Sequence, residues 1–316
     1  MTFIDTTLDA TLVGYTKLGA RARGIDTAER FPEVAGRHVM VTGATGGIGR
    51  TTALRLADNG AVVHAVGRST DKLDALVAEA AGDVVPHRAD LSSMTEIVAL
   101  TDAFVASGNP LHGLVNNVGI MIHERTVTPE GWEITYATNL LGQYVLTRRL
   151  LPVLAASAPS RIVMVSSGGM YSEPLTASNL QSSNGEYKGS AAYARTKRAE
   201  VVLAEIWADE FASQGITVNS MHPGWVDTAG VRDSLPTFRR ITGPFLRNEA
   251  EGADTIVWLA ASDEAEDESG TFFHDRLARP THRMAKTREA DAKRERFLEQ
   301  VASDAAPYLE SSPLDH

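Results

Sequence analysis

The chain contains no cysteine. Disulfides, zinc–thiolate sites and thiol catalysis are thereby excluded, while the compartment stays undecided. Basic residues are outnumbered, 30 against 40 acidic ones, which gives a formal charge of −10. That balance argues against a nucleic-acid partner but tolerates one locally basic groove for a phosphorylated ligand. Long apolar runs are missing too: the longest uncharged stretch near the middle covers only 134–147, too short to span a bilayer. No stable membrane insertion is expected. The opening MTFIDTTLDA lacks the basic and apolar regions of a signal peptide, so a cytoplasmic protein is expected. The acidic run 263–268 has no glycine pattern of a cation-binding loop, and no metal is expected.

What is present is a chain of 316 residues, 43% hydrophobic, able to bury one large core. Its organising stretch lies at 37–59. A short apolar run (Val39, Met40, Val41) enters Thr42-Gly43-Ala44-Thr45-Gly46-Gly47-Ile48-Gly49, and an alanine- and leucine-rich helical pattern follows. Strand, glycine turn and helix start together make an anion site, because the first N–H groups of a helix lack partners. The spacing is G-x-x-x-G-x-G rather than the more familiar G-x-G-x-x-G. Apolar runs at 61–66, 84–88, 111–115, 161–165, 216–221 and 270–273 then alternate with helical patterns. Helices are expected at 71–80, up to about 106 after a cap at Ser92, and at 130–157, 191–213, 249–261 and 287–301. The fold class is α/β: a doubly wound, mostly parallel sheet of six or seven strands with helices on both faces. Ile4, Leu8, Leu12, Tyr15 and Leu18 suggest one amphipathic helix before it. The division expected is a helical extension at 1–35, a catalytic domain at 36–278 with a mobile substrate loop near 229–248, and a helical extension at 279–316.

Polar clusters stand at the carboxyl ends of the strands, where open parallel sheets bind ligands. They are Asn116-Asn117-Val118-Gly119, Ser166-Ser167-Gly168-Gly169 and His222-Pro223-Gly224. Tyr193 and Lys197 share a helix face, so an ammonium can stabilise a phenolate there, although such pairs are also ordinary surface decoration. His222 and His64 read as hydrogen-bonded structural histidines.

In this order, the glycine turn, Asp90, Asn116-Asn117-Val118-Gly119, Asn139, Ser167, Tyr193-x-x-x-Lys197 and Pro223-Gly224 resemble the short-chain dehydrogenase/reductase family of Rossmann type. Ser166 to Met170, the long segment before Tyr193 and Phe272-Phe273-x-Asp275-Arg276 are similar to its dehydrogenase/reductase member 12-like and retinol dehydrogenase-like branch. The resemblance implies that Tyr193 exchanges the substrate proton, Lys197 lowers its pKa and holds the nicotinamide ribose, Ser167 binds the substrate oxygen, and Asn139 holds a helix and water for the proton relay. The strand-end alignment favours Ser167 over Ser166. A dinucleotide would contact Thr42, Gly43, Thr45, Gly46, Gly47, Ile48, Gly49, Arg68, Asp90, Leu91, Asn117, Val118, Gly119, Tyr193, Lys197, Pro223, Gly224, Val226 and Thr228.

Two departures matter: Val118 replaces the family's alanine, and the segment between Ser167 and Tyr193 is about twice the short-spaced length. The second strand ends in Gly67-Arg68 rather than an acidic residue, so NADP(H) is expected over NAD(H), which stays possible. The expected activity is interconversion of an apolar or bulky alcohol with its ketone or aldehyde. A redox-sensing dinucleotide binder and an epimerase or dehydratase are the alternatives. The partner is a small molecule, and the family's helix faces make a homo-oligomer possible.

Overall fold

The computed structural model describes residues 8, 11–228, 232, 239–240 and 242–310. Its strands are β1 (His38–Thr42), β2 (Val62–Gly67), β3 (Val84–Arg88), β4 (Gly113–Asn116), β5 (Ser160–Val165), β6 (Ile216–Met221), β7 (Phe272–His274) and β8 (Leu277–Ala278). They form one sheet in the order β3-β2-β1-β4-β5-β6-β7-β8. All pairings are parallel except the last. Helices α1 (Lys17–Ala22), α2 (Gly47–Asp58), α3 (Thr70–Glu79), α4 (Met94–Ala106), α5 (Gly142–Ala156), α6 (Gly189–Phe211), α7 (Glu249–Ala261) and α8 (Asp291–Leu309) surround it.

The central strands are covered on both faces, which is why they read as unbroken apolar runs rather than alternating ones. Met40, Leu114, Ile162 and Val218 join one core with α4, α5, α6 and α8. Val39, Val41, Val63, Val115 and Val163 join the other with α2, α3 and α7. Alternation along each strand thus feeds two cores, and the carboxyl ends stay free for a site.

Among the described residues the sheet has eight strands, against the six or seven expected. The extra strand, β8, turns back from β7 through Asp275 and Arg276, whose φ values are 55° and 57°. Two left-handed residues suit a tight hairpin turn, but neither is the glycine or asparagine that signals one in sequence. Ser93, not Ser92, caps α4, its hydroxyl accepting from Glu96 N at 3.3 Å. Ser92 instead bonds the Asp90 carboxylate through both its N–H and its hydroxyl.

The helical run expected from 130 begins at Ile134–Tyr136, where buried Glu133 accepts from the N–H groups of Thr135 and Tyr136. It passes through a π turn at Ala137–Leu141 before α5. The C-terminal helix runs later and longer than expected. It buries Phe297, Val301 and Ala305 against the core, and Tyr136 donates to its Asp304 at 2.7 Å. Arg294 of α8 pairs with Glu205 of α6, and Phe297 and Val301 help to close the α5 side.

Among the described residues the expected single helix is interrupted: Leu8 is helical, a 3-10 turn covers Leu12–Tyr15 and the short α1 follows; Ile4 lies outside the described residues. The cause is tertiary. The Gly14 carbonyl accepts from Arg23 and Arg247 side chains, each at 2.9 Å, and meets His274 Nε2 at 3.0 Å.

Candidate active site

Thr42 ends β1 buried, and its hydroxyl is fully engaged. It donates to Val115 O at 3.1 Å and accepts from the N–H groups of Asn117 and Val118 at 2.9 and 3.1 Å. The Asn117 amide donates to Thr42 O at 2.8 Å, and Gln143 donates to Val118 O at 2.8 Å. The glycine turn and the Asn-Asn-Val-Gly turn are therefore one rigid wall. Thr42 and Asn117 use their side chains to build that wall.

Gly43 and Gly47 take φ values of 66° and 56°, where an L side chain would be strained. A Cβ on Gly49 would lie 2.4 Å from both Gly43 O and Asn117 Nδ2, so glycine is required for this approach, whereas the space over Gly46 is open. That opening faces the start of α2. Ile48 and Val226 pack together over Gly252, and Thr228 reaches the Gly47 side of the turn.

A cavity of about 190 Å³ opens between Gly43, Thr45, Gly67, Arg68, Asp90 and Leu91 on one side and Val118 and Gly119 on the other. Glycine at 67 has a steric reason, because a Cβ there would lie 2.4 Å from Thr45 Cγ2. Arg68 is largely exposed, and its guanidinium stands 3.6 Å from the Asp90 carboxylate.

Tyr193 and Lys197 project from α6, with Lys197 Nζ 5.6 Å from the Tyr193 ring centre. Ser167 Oγ accepts from Gly169 N at 3.2 Å and keeps its own proton to donate. A Cβ built on Gly169 would lie 3.6 Å from Ser167 Oγ and 3.9 Å from Tyr193 Cε1, so the serine and the tyrosine converge over that glycine. Ser166 is buried and donates to Lys197 O at 2.7 Å. It braces the helix, and its hydroxyl is committed there.

Asn139 sits in the π turn, a feature that often marks functional sites. Its Oδ1 accepts from Ile120 N at 2.8 Å, and its Nδ2 donates to Ile120 O and Thr196 Oγ1 at 3.0 Å. This side chain locks the loop after β4 to α6. Lys197 is buried and donates to Val165 O at 2.9 Å and to Glu200 Oε1 at 2.8 Å. Burial opposes its charge, but Glu200 and the Tyr193 phenol outweigh that and raise its pKa. Glu200 is missing from the sequence reading, although its place three residues after Lys197 on one helix face could have revealed it.

The His222 loop closes the far side. His222 Nδ1 accepts from Gly224 N at 3.1 Å, and its ring stacks on His274 with centres 3.9 Å apart. Burial and nearby His274 push its pKa well down, as befits a neutral structural histidine. Tyr15 packs against His222 and Trp225, and its ring edge approaches Gly168 beside Ser167. Its carbonyl accepts from Trp225 N at 2.8 Å and from Arg247 Nε at 3.1 Å. A Cβ on Gly224 would meet that guanidinium at 2.5 Å. Arg247, at the end of the expected substrate loop, is buried in this frame; 229–231, 233–238 and 241 of that loop lie outside the described residues.

With this geometry in place, the likenesses are specific. Residues 37–237 match the profile of the short chain dehydrogenase family. Dehydrogenase/reductase SDR family member 12 of Bos taurus is 40% identical over 294 residues, covering 90% of this chain and 92% of the relative. Retinol dehydrogenase 12 of Homo sapiens is 34% identical over 250 residues, covering 77% and 79%. Among solved structures, the Pseudomonas aeruginosa RhlG/NADP active-site complex aligns at 25% identity with a TM-score of 0.63, covering 77% of this chain and 96% of that one.

Proposed function

Because the chain belongs to the short-chain dehydrogenase/reductase family and is an NAD(P)-dependent oxidoreductase acting on CH–OH donors, we propose that Tyr193 is its acid/base and Ser167 its carbonyl-oxygen anchor. The carrying observation is the convergence of Ser167 Oγ and Tyr193 over Gly169, with an ammonium beside the phenol. The residues fit a dinucleotide: open space over the Gly46 helix start suits a pyrophosphate, and the side-chain-free end of β2 admits a ribose. The bound nicotinamide supplies or takes the hydride. Tyr193 gives its hydroxyl proton to the carbonyl oxygen in reduction and takes the alcohol proton in oxidation, while Ser167 donates to that oxygen. Lys197 would hold the nicotinamide ribose, and Asn139 ties the loop after β4 to α6.

Tyr193→Phe removes only the proton donor. It should keep cofactor affinity and lose at least ~10²-fold in turnover. Near-normal turnover would reject the assignment.

The substrate we infer is an apolar or bulky alcohol or carbonyl, supported by the Tyr15 ring edge near Gly168, with Trp225 stacked on that ring, and by the name of the retinol dehydrogenase relative. NADP(H) is the cofactor we favour, because Arg68 borders the cavity next to a position where no acidic side chain fits. Charge-assisted bonds from one guanidinium are worth roughly 1.5–3 kcal/mol, a preference on the order of ten- to a hundredfold. Arg68→Ala should collapse the ratio of kcat/KM for NADPH over NADH by that factor, and an unchanged ratio refutes the reading. Cytoplasmic location stays a proposal for cell fractionation to decide, and self-association one for light scattering.

A further inference from the structure

Lys197 carries three N–H donors. Two are committed inside the protein, to Val165 O at 2.9 Å and to Glu200 Oε1 at 2.8 Å. One remains for a ribose hydroxyl. Glu200 is wholly buried, and its second oxygen, Oε2, has no hydrogen-bond partner among the described residues. An interior carboxylate with a bare oxygen is costly to keep, and a merely structural residue could be replaced by an apolar one of similar volume. Its single strong contact is with the ammonium that faces Tyr193.

We propose that Glu200 is a positioning residue of the site: ionised and paired with Lys197, it fixes the ammonium rotor so that one donor is left for the cofactor, and it weakens the positive field felt by the Tyr193 phenol. The proposal rests on the acid/base reading of Tyr193. Lys197 is the one titratable group acting on Glu200 among the described residues; Tyr193 acts in turn on Lys197. Burial pushes the Glu200 carboxyl up to about 7 against the pull of Lys197, so the carboxylate is charged above neutrality.

The test is Glu200→Gln, which keeps an oxygen for Lys197 and removes the charge. With the opposing charge gone, phenolate is favoured. The limb of kcat/KM assigned to Tyr193 should move about one unit toward acid in alcohol oxidation. Glu200→Asp, which keeps the charge, should move it back toward the parent. Glu200→Met, neutral and of similar volume, is the second variant and must give the same acid shift if the Gln form folds poorly. An unmoved limb, with or without loss of turnover, overturns the proposal.

A second readout needs no turnover: phenolate absorbance is titrated in parent and Glu200→Gln, each with its Tyr193→Phe background subtracted. If this titration moves while Tyr193→Phe keeps the parent's turnover, the acid/base reading of Tyr193 fails and the pairing role stands. If the parent turns over and neither readout moves, the role alone fails.

Discussion

Asp275 and Glu200 are both buried carboxylates, yet they are held in contrasting ways. Asp275 is met by Arg23 at 2.7 Å and by two nitrogens of Arg247, and lies 3.4 Å from His274. Burial would raise its pKa, but His274, Arg247 and Arg23 outweigh that and hold it far below the usual range. Glu200 has one donor and a bare second oxygen, and burial wins. The lesson is that burial alone does not set the state of a carboxylate; the number of donors around it does. Asp275 sits in a frame of paired guanidiniums, and Glu200 pairs with the ammonium that faces the phenol which the proposed reaction protonates and deprotonates.

The largest expected effect breaks the Asp275 side. Asp275→Ala removes the buried carboxylate that the Arg23 and Arg247 guanidiniums both meet and should cost about 3–5 kcal/mol in denaturant unfolding at neutral pH. Because the folded value is depressed, the contribution of Asp275 is full above the unfolded carboxyl range and is lost only as pH falls through the folded value. A loss below about 1 kcal/mol would show that the cluster is incidental.

The smaller effect sharpens the Glu200 side through its opposite sign. Its folded value is raised from 4.5 to about 7, so its contribution is full below the unfolded value and is lost as pH rises through the folded one. Between pH 4.5 and 7 the stability gap between Glu200→Met and the parent should move in the variant's favour, by up to about 3 kcal/mol. A gap that stays flat across that window would remove the contrast between the two carboxylates.

The same division separates what could be read early from what could not. The strand–turn–helix at 37–59, the strand at Ile216–Met221 and the helix at Glu249–Ala261 are legible because their signals are local. Positive φ at Gly43 and Gly47 and the i,i+4 spacing of Tyr193 and Lys197 are likewise properties of a few consecutive residues. Ser166 and Ser167 are neighbours that differ by one step of register, and only the fold shows that the Ser166 hydroxyl is buried against Lys197 O. The β7–β8 hairpin escaped because its left-handed turn residues are Asp275 and Arg276, held by ion pairs with Arg23, Arg247, Asp254 and Glu29 that no turn signal encodes.

By itself the sequence determined an α/β chain with a glycine turn, a Tyr193-x-x-x-Lys197 helix and strand-end polar clusters, since periodicity and backbone freedom act over a turn or a strand. Only the tertiary structure decided that Tyr15 folds back beside Ser167 and that Arg23 reaches Asp275. It also decided that Glu200 is sealed in with one partner. Those contacts depend on burial and on pairs far apart in the chain, and neither quantity is written into any short stretch of residues.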